Sequence, residues 1–296
     1  MKSGFIALSG LPNAGKSSLL NALLKEEVAI VSPKAETTRN AIIGVLNRDD
    51  YQMIFLDTPG MHEGASVLGS YMNKEAFKQA DGADVIFYMV DAKKGLSAKD
   101  DKNLEILFKY ERPIFLILNK IDLISKDLLI KRIAYASEKY DFKEIIPISV
   151  KDEDNLDELI KTATTYFKDD IVYYPSDYQT NADLKFRTSE IIRLALLKNC
   201  AKEVPHLVAV KIDTFKETAK RVYIEATIVC AKNNHKAIII GKNGRMLQKI
   251  NRDASKDLSE LYSKKCFLSL FVKVMEDWYN SKHKLLDLGY FIDKDD

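Results

Sequence analysis

Through the first 170 residues, short β-branched or apolar runs, several ending on a polar residue, alternate with amphipathic stretches. The runs are FIAL (5–8), YQMIFLD (51–57), VIFYMVD (85–91), PIFLILN (113–119) and EIIPIS (144–149), and helical spacing is legible at 17–24, 99–109 and 156–167. A strand that is apolar throughout is covered on both faces, as in a parallel sheet sandwiched between helices. The pattern therefore predicts a doubly wound, mostly parallel α/β domain, with ligands expected where the strands reach their carboxyl ends.

The pattern then changes. After a polar connector around 173–183, containing Pro175, helical spacing is suggested at 189–198. Val208, Val210 and Ile212 alternate with Ala209, Lys211 and Asp213, and Val222, Ile224, Ala226 and Ile228 with Tyr223, Glu225, Thr227 and Val229. A period of two marks strands buried on one face only, as in an antiparallel sheet. IIIGKNG (238–244) follows, then a helix carrying Leu247, Ile250, Ala254, Leu258 and Leu261, and a final strand at 267–274. The expected organisation is a first domain over 1–172, a linker over 173–184 and a smaller α+β domain with a C-terminal tail over 185–296.

A chain of 296 residues suits two such domains, and 46% hydrophobic with 30% charged residues is ordinary for a globular protein. No apolar run approaches the roughly 20 residues of a membrane span, and the apolar part of MKSGFIALS is too short for a secretory signal, so the cytoplasm is expected. Cys200, Cys230 and Cys266 lack metal-ligand spacing and suit reduced thiols. The net charge of +2 hides an asymmetry: from residue 201 onward 18 basic residues face 13 acidic ones, against 27 and 30 before it. The second half is thus the place to look for a polyanionic partner.

The residues at the strand ends carry chemistry. Gly10-Leu11-Pro12-Asn13-Ala14-Gly15-Lys16-Ser17 follows the first strand and fits G-x-x-x-x-G-K-S/T, in which backbone N–H groups surround nucleotide phosphates, the lysine meets the β- and γ-phosphates and the hydroxyl holds Mg²⁺. Ser18 continues the helix start. Asn119-Lys120-Ile121-Asp122 ends another strand, where the Asp122 carboxylate can accept from both donors of the guanine edge; adenine offers none there. Asp57-Thr58-Pro59-Gly60 can supply a carboxylate to Mg²⁺ and an unobstructed N–H to the γ-phosphate. Thr37 or Thr38, with Thr38 favoured, can reach Mg²⁺ from a loop that changes with nucleotide state. Ser149-Val150-Lys151 ends the last strand, with the Val150 N–H placed for guanine O6.

The order GLPNAGKS, TTR, DTPG, NKID, SVK resembles the translation-factor-related P-loop GTPases. With the second half included, the chain resembles the Era family of the TrmE-Era-EngA-like superfamily, GTPases with a type II KH domain. That resemblance implies GTP hydrolysis to GDP with Mg²⁺, and binding to 16S rRNA near its 3′ end and to the 30S subunit during assembly. It also implies a monomer in the cytoplasm, with a weak peripheral fraction at the inner membrane. Met61 stands where many GTPases have the glutamine that orients water, and a thioether cannot do so; intrinsic hydrolysis is expected to be slow. In related GTPases with the P-N-x-G-K-S phrase, an asparagine at the place of Asn13 helps coordinate K⁺ by the phosphates. Turn-shaping by Pro12-Asn13 is the alternative, and the two readings stay open. The expected catalytic group is Lys16, Thr38, Gly60 and Asn13.

The IIIGKNG segment is similar to the GXXG loop of KH domains, which clamps the backbone of about four nucleotides. Gly241, Lys242, Asn243, Gly244, Arg245 and Lys249 are the expected RNA contacts. Seven basic residues between 232 and 256 face only Asp253, and Ile238, Ile239 and Ile240 either meet bases or pack inside. Two rivals remain. A small-molecule kinase is disfavoured by Asp122, and a GTPase that docks to protein or membrane through Trp278, Tyr279, Leu285, Leu286, Tyr290 and Phe291 is disfavoured because such residues are more often core.

Overall fold

The five apolar runs form five parallel strands: β1 (Lys2–Ser9), β3 (Tyr51–Asp57), β4 (Val85–Asp91), β5 (Ile114–Asn119) and β6 (Glu144–Pro147). In this computed structural model, which describes residues 1–32, 34, 38–59, 66–168, 170–201 and 203–290, the sheet gains a sixth strand, β2 (Ile42–Asn47). β2 runs antiparallel to β3 at one edge, in the order β2-β3-β1-β4-β5-β6. Its sequence, IIGVLN, is short and broken by Gly44, and it shows neither full burial nor alternation.

Helices α1 (Lys16–Leu24), α2 (Val67–Asp81), α3 (Ala98–Leu107) and α4 (Lys126–Lys139) join the strands, and α5 (Leu156–Thr164) follows β6. A parallel sheet needs such crossovers, and α2 and α4, not expected from the pattern, complete the set. α4 was hidden because only Ala136 of its 14 residues is buried. The sheet interior is dry: Ile6, Phe55, Phe87, Tyr88 and Phe115 are each 0% exposed, and Phe87 stacks on Phe115 at 5.6 Å. Register sets the functional edge: Leu8 pairs with Asp57 and Asp91 with Asn119, so β1 ends level with β3 and β4 level with β5, while β4 runs three residues past the Ser9–Tyr88 pair at the end of β1.

The described residues divide into two compact units, the larger built on most of the first 181 residues and the smaller from Ala182 onward. Residues 173–181 lie against the open edge of the first sheet. Thr180 bridges Gly44, the Val45 N–H donates to Gln179 O at 2.7 Å, and the Ile43 N–H donates to Asn181 Oδ1 at 2.8 Å. Gln52 Oε1 accepts from the N–H groups of Tyr173 and Tyr174 at 2.9 and 3.0 Å. Tyr174 and Tyr178, stacked at 4.7 Å, cover Val45, Ile54 and Leu56. The stretch expected as a linker therefore serves as a cover for a sheet edge that would otherwise present bare donors and acceptors.

The smaller unit runs α6 (Leu184–Asn199), β7 (Val208–Glu217), β8 (Arg221–Cys230), α7 (Asn233–Ile240), α8 (Arg245–Tyr262), β9 (Lys265–Val274) and α9 (Lys282–Asp287). α6 opens five residues earlier than the pattern suggested, capped by Asp183, whose side chain accepts from the Phe186 N–H at 2.6 Å. β7 and β8 are antiparallel, as their alternation suggested, and β9, for which no direction was expected, runs parallel to β8. The physical reason is the connection: two helices lie between β8 and β9, and they return the chain to the starting end. Ile192, Ala195, Leu196, Ile239, Ile250, Ala254 and Leu258 from the helices meet Val222, Ile224, Ala226 and Ile228 from one face of the sheet. Trp278 and Leu285 are fully buried and Tyr290 is 7% exposed, so half of the C-terminal set is core; Tyr279 is half-buried, Leu286 is exposed and Phe291 lies outside the described residues.

Candidate functional site

The turn after β1 is built by glycine geometry. Gly10 (φ 127°) and Gly15 (φ 109°) adopt backbone that side chains rarely allow; a Cβ on Gly10 would sit 2.4 Å from Met89 O, and one on Gly15 2.1 Å from Asn119 Nδ2. The loop therefore packs against the ends of β4 and β5 with no room for a side chain. It delivers Lys16 and Ser17 to the N-terminus of α1, where backbone N–H groups point outward and no acidic residue competes in the first turn. Leu11 and Pro12 are half-buried, Ala14 is buried, and Asn13 is exposed with φ 66°.

Lys16 is buried and folds its ammonium onto Gly10 O (3.0 Å) and Leu11 O (3.2 Å). Burial lowers its pKa to about 8, with the Asp57 charge opposing the shift. Asp57, fully buried at the end of β3, is pushed up to about 6 by burial, opposed by Lys16 and by the Ser17 hydrogen bond. Ser17 Oγ donates to Asp57 Oδ2 at 2.8 Å and lies 2.8 Å from Thr38 Oγ1. Asp57 Oδ1 is buried and has no hydrogen-bond partner among the described residues. Thr58 and Pro59 are buried, and the Thr58 hydroxyl donates to Leu8 O at 2.8 Å, anchoring the turn to β1. Thr37, Gly60 and Met61 lie outside the described residues.

A second cluster forms at the ends of β5 and β6. Asn119, 2% exposed, donates through Nδ2 to Ala14 O at 2.8 Å, while its Oδ1 accepts from the N–H groups of Lys120 (2.7 Å) and Val150 (3.2 Å). One amide thus ties three loops together. The Val150 N–H, expected to face a purine oxygen, is here engaged by Asn119. Lys120, with φ 66°, reaches Asn13 O and Asp91 Oδ2, both at 2.9 Å. Asp122 Oδ1 accepts from the buried Ser149 hydroxyl at 2.9 Å, and Lys151 Nζ stands 3.8 Å from Oδ2. The Asp122 side chain is only 11% exposed, so its carboxylate is fixed in direction. Asp91 was not among the expected site residues, because it resembles any strand-end acid; Ala14 was expected in the phosphate loop, but that its carbonyl accepts from Asn119 leaves no mark in the sequence.

In the smaller unit, Gly241-Lys242-Asn243-Gly244 makes the turn between α7 and α8. Lys242, Asn243, Arg245 and Lys249 are exposed, and Asn243 has φ 53°. A Cβ on Gly241 would meet Met246 Cβ at 2.6 Å, whereas one on Gly244 (φ 74°) would meet nothing within 4 Å. The three isoleucines separate: Ile239 is fully buried, Ile238 is 45% exposed beside the loop, and Ile240 is between.

Residues 5–120 match the family model of the 50S ribosome-binding GTPases and residues 203–279 that of the KH domain. Fold and site together define a P-loop GTPase joined to a KH domain. The GTPase Era of Clostridium kluyveri is 43% identical over 291 residues, covering 98% of this chain and 99% of the relative. An Aquifex aeolicus Era variant solved with GDP·AlF4⁻ superimposes with a TM-score of 0.94 at 36% identity, covering 99% of this chain and all of that one. An Era complex with MgGDPNP and nucleotides 1506–1542 of 16S ribosomal RNA matches equally, with the same score, identity and coverage. The chain belongs to the Era family of GTPases.

Proposed function

We propose that this chain is a guanine-nucleotide switch that binds the 3′ region of 16S ribosomal RNA through its KH unit and acts in assembly of the small ribosomal subunit. The observation that carries the reading is the meeting of two clusters at one sheet edge. The buried Lys16, Thr38 and Asp57 lie with half-buried Ser17 on one side, Asn119, Asp122 and Ser149 on the other, and the Asn119 bond to Ala14 joins them. The RNA assignment is supported by the relative's complex with 16S nucleotides, which matches the whole chain. The family model that names the large subunit covers only residues 5–120, so it does not bear on the RNA-binding half.

The roles follow from the geometry. The N–H groups of residues 10–18 enclose the phosphates, and Lys16 gives its ammonium, held at low solvation by burial, to the β- and γ-phosphate oxygens. Asp57, Ser17 and Thr38 fit Mg²⁺: they form an all-oxygen set suited to a hard cation, and Asp57 Oδ1 is a buried acceptor with no other partner among the described residues. When bound, Mg²⁺ neutralises charge building on the phosphates. Asp122, held by Ser149, accepts from guanine N1–H and N2–H, and Asn119 with Lys120 holds the base-side loops against residues 13 and 14. Thr58, Pro59, Gly60, Val150 and Lys151 complete the pocket in this assignment. With Met61 after Gly60, water is left without a glutamine, and unassisted turnover is slow. Gly241, Lys242, Asn243, Gly244, Arg245 and Lys249 take the RNA backbone. We assign this work to a monomer in the cytoplasm, with membrane contact limited to the periphery; among the described residues no helix is long and apolar enough to cross a membrane.

Calorimetry tests the switch at Asp122. The parent protein is expected to prefer GTP over ATP by about a hundredfold or more, because adenine offers no donor to the Asp122 carboxylate, which is then left without its two base partners. Asp122→Asn turns one acceptor into a donor and is expected to transfer the preference to XTP. Equal affinity of the parent for GTP and ATP refutes the assignment.

A further inference from the structure

The helices α6, α7 and α8 all pack on one face of the β7-β8-β9 sheet. The other face has its own composition. Cross-strand register places Lys216, Tyr223 and Phe267 in one row, Thr214, Glu225 and Ser269 in the next, and Lys211, Thr227 and Phe271 in a third, with Arg221 and Lys265 paired at one end and Lys273 towards the other. The row beyond is closed: Ala209 and Val229 are each 2% exposed. From Lys211 outward the face is open, with Phe271 56% exposed and Tyr223 and Phe267 each 38% exposed.

Two features make this more than a solvated sheet. First, the rings are arranged: Tyr223 and Phe267 stack at 5.1 Å and 12°, and the charges of Arg221 (5.7 Å) and Lys265 (5.2 Å) lie over the Phe267 ring. Aromatic and guanidinium planes of this kind are the surface on which unpaired bases stack. Second, the charge is one-sided. Lys211, Lys216, Arg221, Lys265 and Lys273 face Glu225 and Asp213, and Asp213 is held by the Thr227 hydroxyl at 2.6 Å. An exposed aromatic row flanked by cations complements a chain of bases and phosphates. A lipid surface would call for aliphatic insertion, which the Thr214, Glu225 and Ser269 row prevents at its centre.

We propose that the open face of the β7-β8-β9 sheet is a second RNA surface, a stacking platform for unpaired nucleotides beyond those held at the GKNG loop. The inference rests on the reading of this unit as RNA-binding and extends it. A KH loop grips about four nucleotides, so any longer single strand must run on across other surface. β9 is an edge strand of the sheet and Phe267 and Phe271 both project from it, so the platform lies along a border a continuing strand can follow.

The test is fluorescence anisotropy on the full chain with two labelled single-stranded RNAs, a six-mer and an eighteen-mer containing it. Two variants are used, Phe271→Ala and the pair Lys211→Glu with Lys273→Glu; all three positions are exposed, so folding is retained. Both variants are expected to weaken the eighteen-mer about tenfold and to leave the six-mer unchanged. The slope of log affinity against log salt for the eighteen-mer falls by about 0.7 for each lost phosphate contact. The loop pair Lys242→Asp with Asn243→Asp weakens both RNAs. If both face variants bind both RNAs as the parent does, the platform is overturned while the loop assignment stands. If the parent binds neither RNA, both fall together. If the face variants lose only sedimentation with phosphatidylglycerol vesicles, the face is a lipid surface and the proposal is wrong.

Discussion

Both units carry a loop whose turn depends on two glycines, and the loops ask different things of those residues. In the loop after β1 both glycines are required by the protein itself, since a side chain on either would strike the ends of neighbouring strands. In the GKNG loop only Gly241 is required in this way; Gly244 faces open space. A small ligand enclosed by backbone needs the walls built first, and the cost appears as buried charge at Lys16 and Asp57. A polymer that passes over a surface needs clearance and exposed cations, which Lys242, Arg245 and Lys249 offer.

The largest expected effect breaks this comparison open. Gly15→Ala forces a Cβ into the Asn119 amide at a backbone angle closed to alanine, so the bond from Asn119 to Ala14 cannot survive. Nucleotide affinity measured by calorimetry is expected to fall a hundredfold or more, about 3 kcal/mol, and thermal stability to fall with it. Gly244→Ala meets no protein atom and costs only the left-handed backbone, about 1 kcal/mol. Its loss should appear in RNA affinity with nucleotide binding untouched. If Gly244→Ala binds RNA as the parent does, nothing outside the protein approaches that glycine.

The same contrast governs what could be read from sequence. The first sheet was legible because its strands are buried on both faces and its loops contain residues with narrow chemistry. β2 was not, because an edge strand with a glycine gives no periodic signal, and neither was the cover made by residues 173–181, whose bonds run through Asn181, Gln52 and backbone groups. α7 went unread for a specific reason: its three consecutive isoleucines show no helical period, and only His235 and Ile239, four apart, are its buried positions. Within the nucleotide site, side-chain identities were legible, but the Asn119 bond to the Val150 N–H was not, since it is set by how two loops meet.

A smaller effect measures how much the enclosed site costs. The Asp57 carboxyl is raised by burial from 3.8 to about 6, so its contribution to stability is full below about pH 4 and is lost as pH rises through 6. Lys16 is lowered from 10.5 to about 8, so its contribution is full only above 10.5 and is lost as pH falls through 8. Between pH 6 and 8 the nucleotide-free protein carries both penalties. Asp57→Asn removes the first but deprives Lys16 of its partner, so the net gain in urea unfolding at pH 7.5 is expected to be about 1–2 kcal/mol. The gain should vanish at pH 4, and Mg²⁺-dependent stabilisation by GTP should be lost. A variant less stable than the parent at pH 7.5 would show that the buried pair is stabilising, and would remove the idea that this site is built at the expense of the fold.

The smallest expected effect concerns Asn13, where two readings remain. Its backbone is left-handed, φ 66°, a region asparagine tolerates, and its carbonyl accepts from Lys120 at 2.9 Å, so shaping the turn is a role the structure already gives it. Coordination of K⁺ near the phosphates would be a second role, through the side-chain oxygen. Two substitutions separate them, because Asn13→Gly keeps the left-handed turn and removes the oxygen, whereas Asn13→Ala disturbs both. If the oxygen holds K⁺, GTP turnover in the parent is up to about tenfold faster in K⁺ than in Na⁺, and the glycine variant loses that difference while keeping the Na⁺ rate. If the glycine variant keeps the full K⁺ preference, the asparagine is there for its backbone alone, and charge at the phosphates is balanced by Lys16 and Mg²⁺ without it.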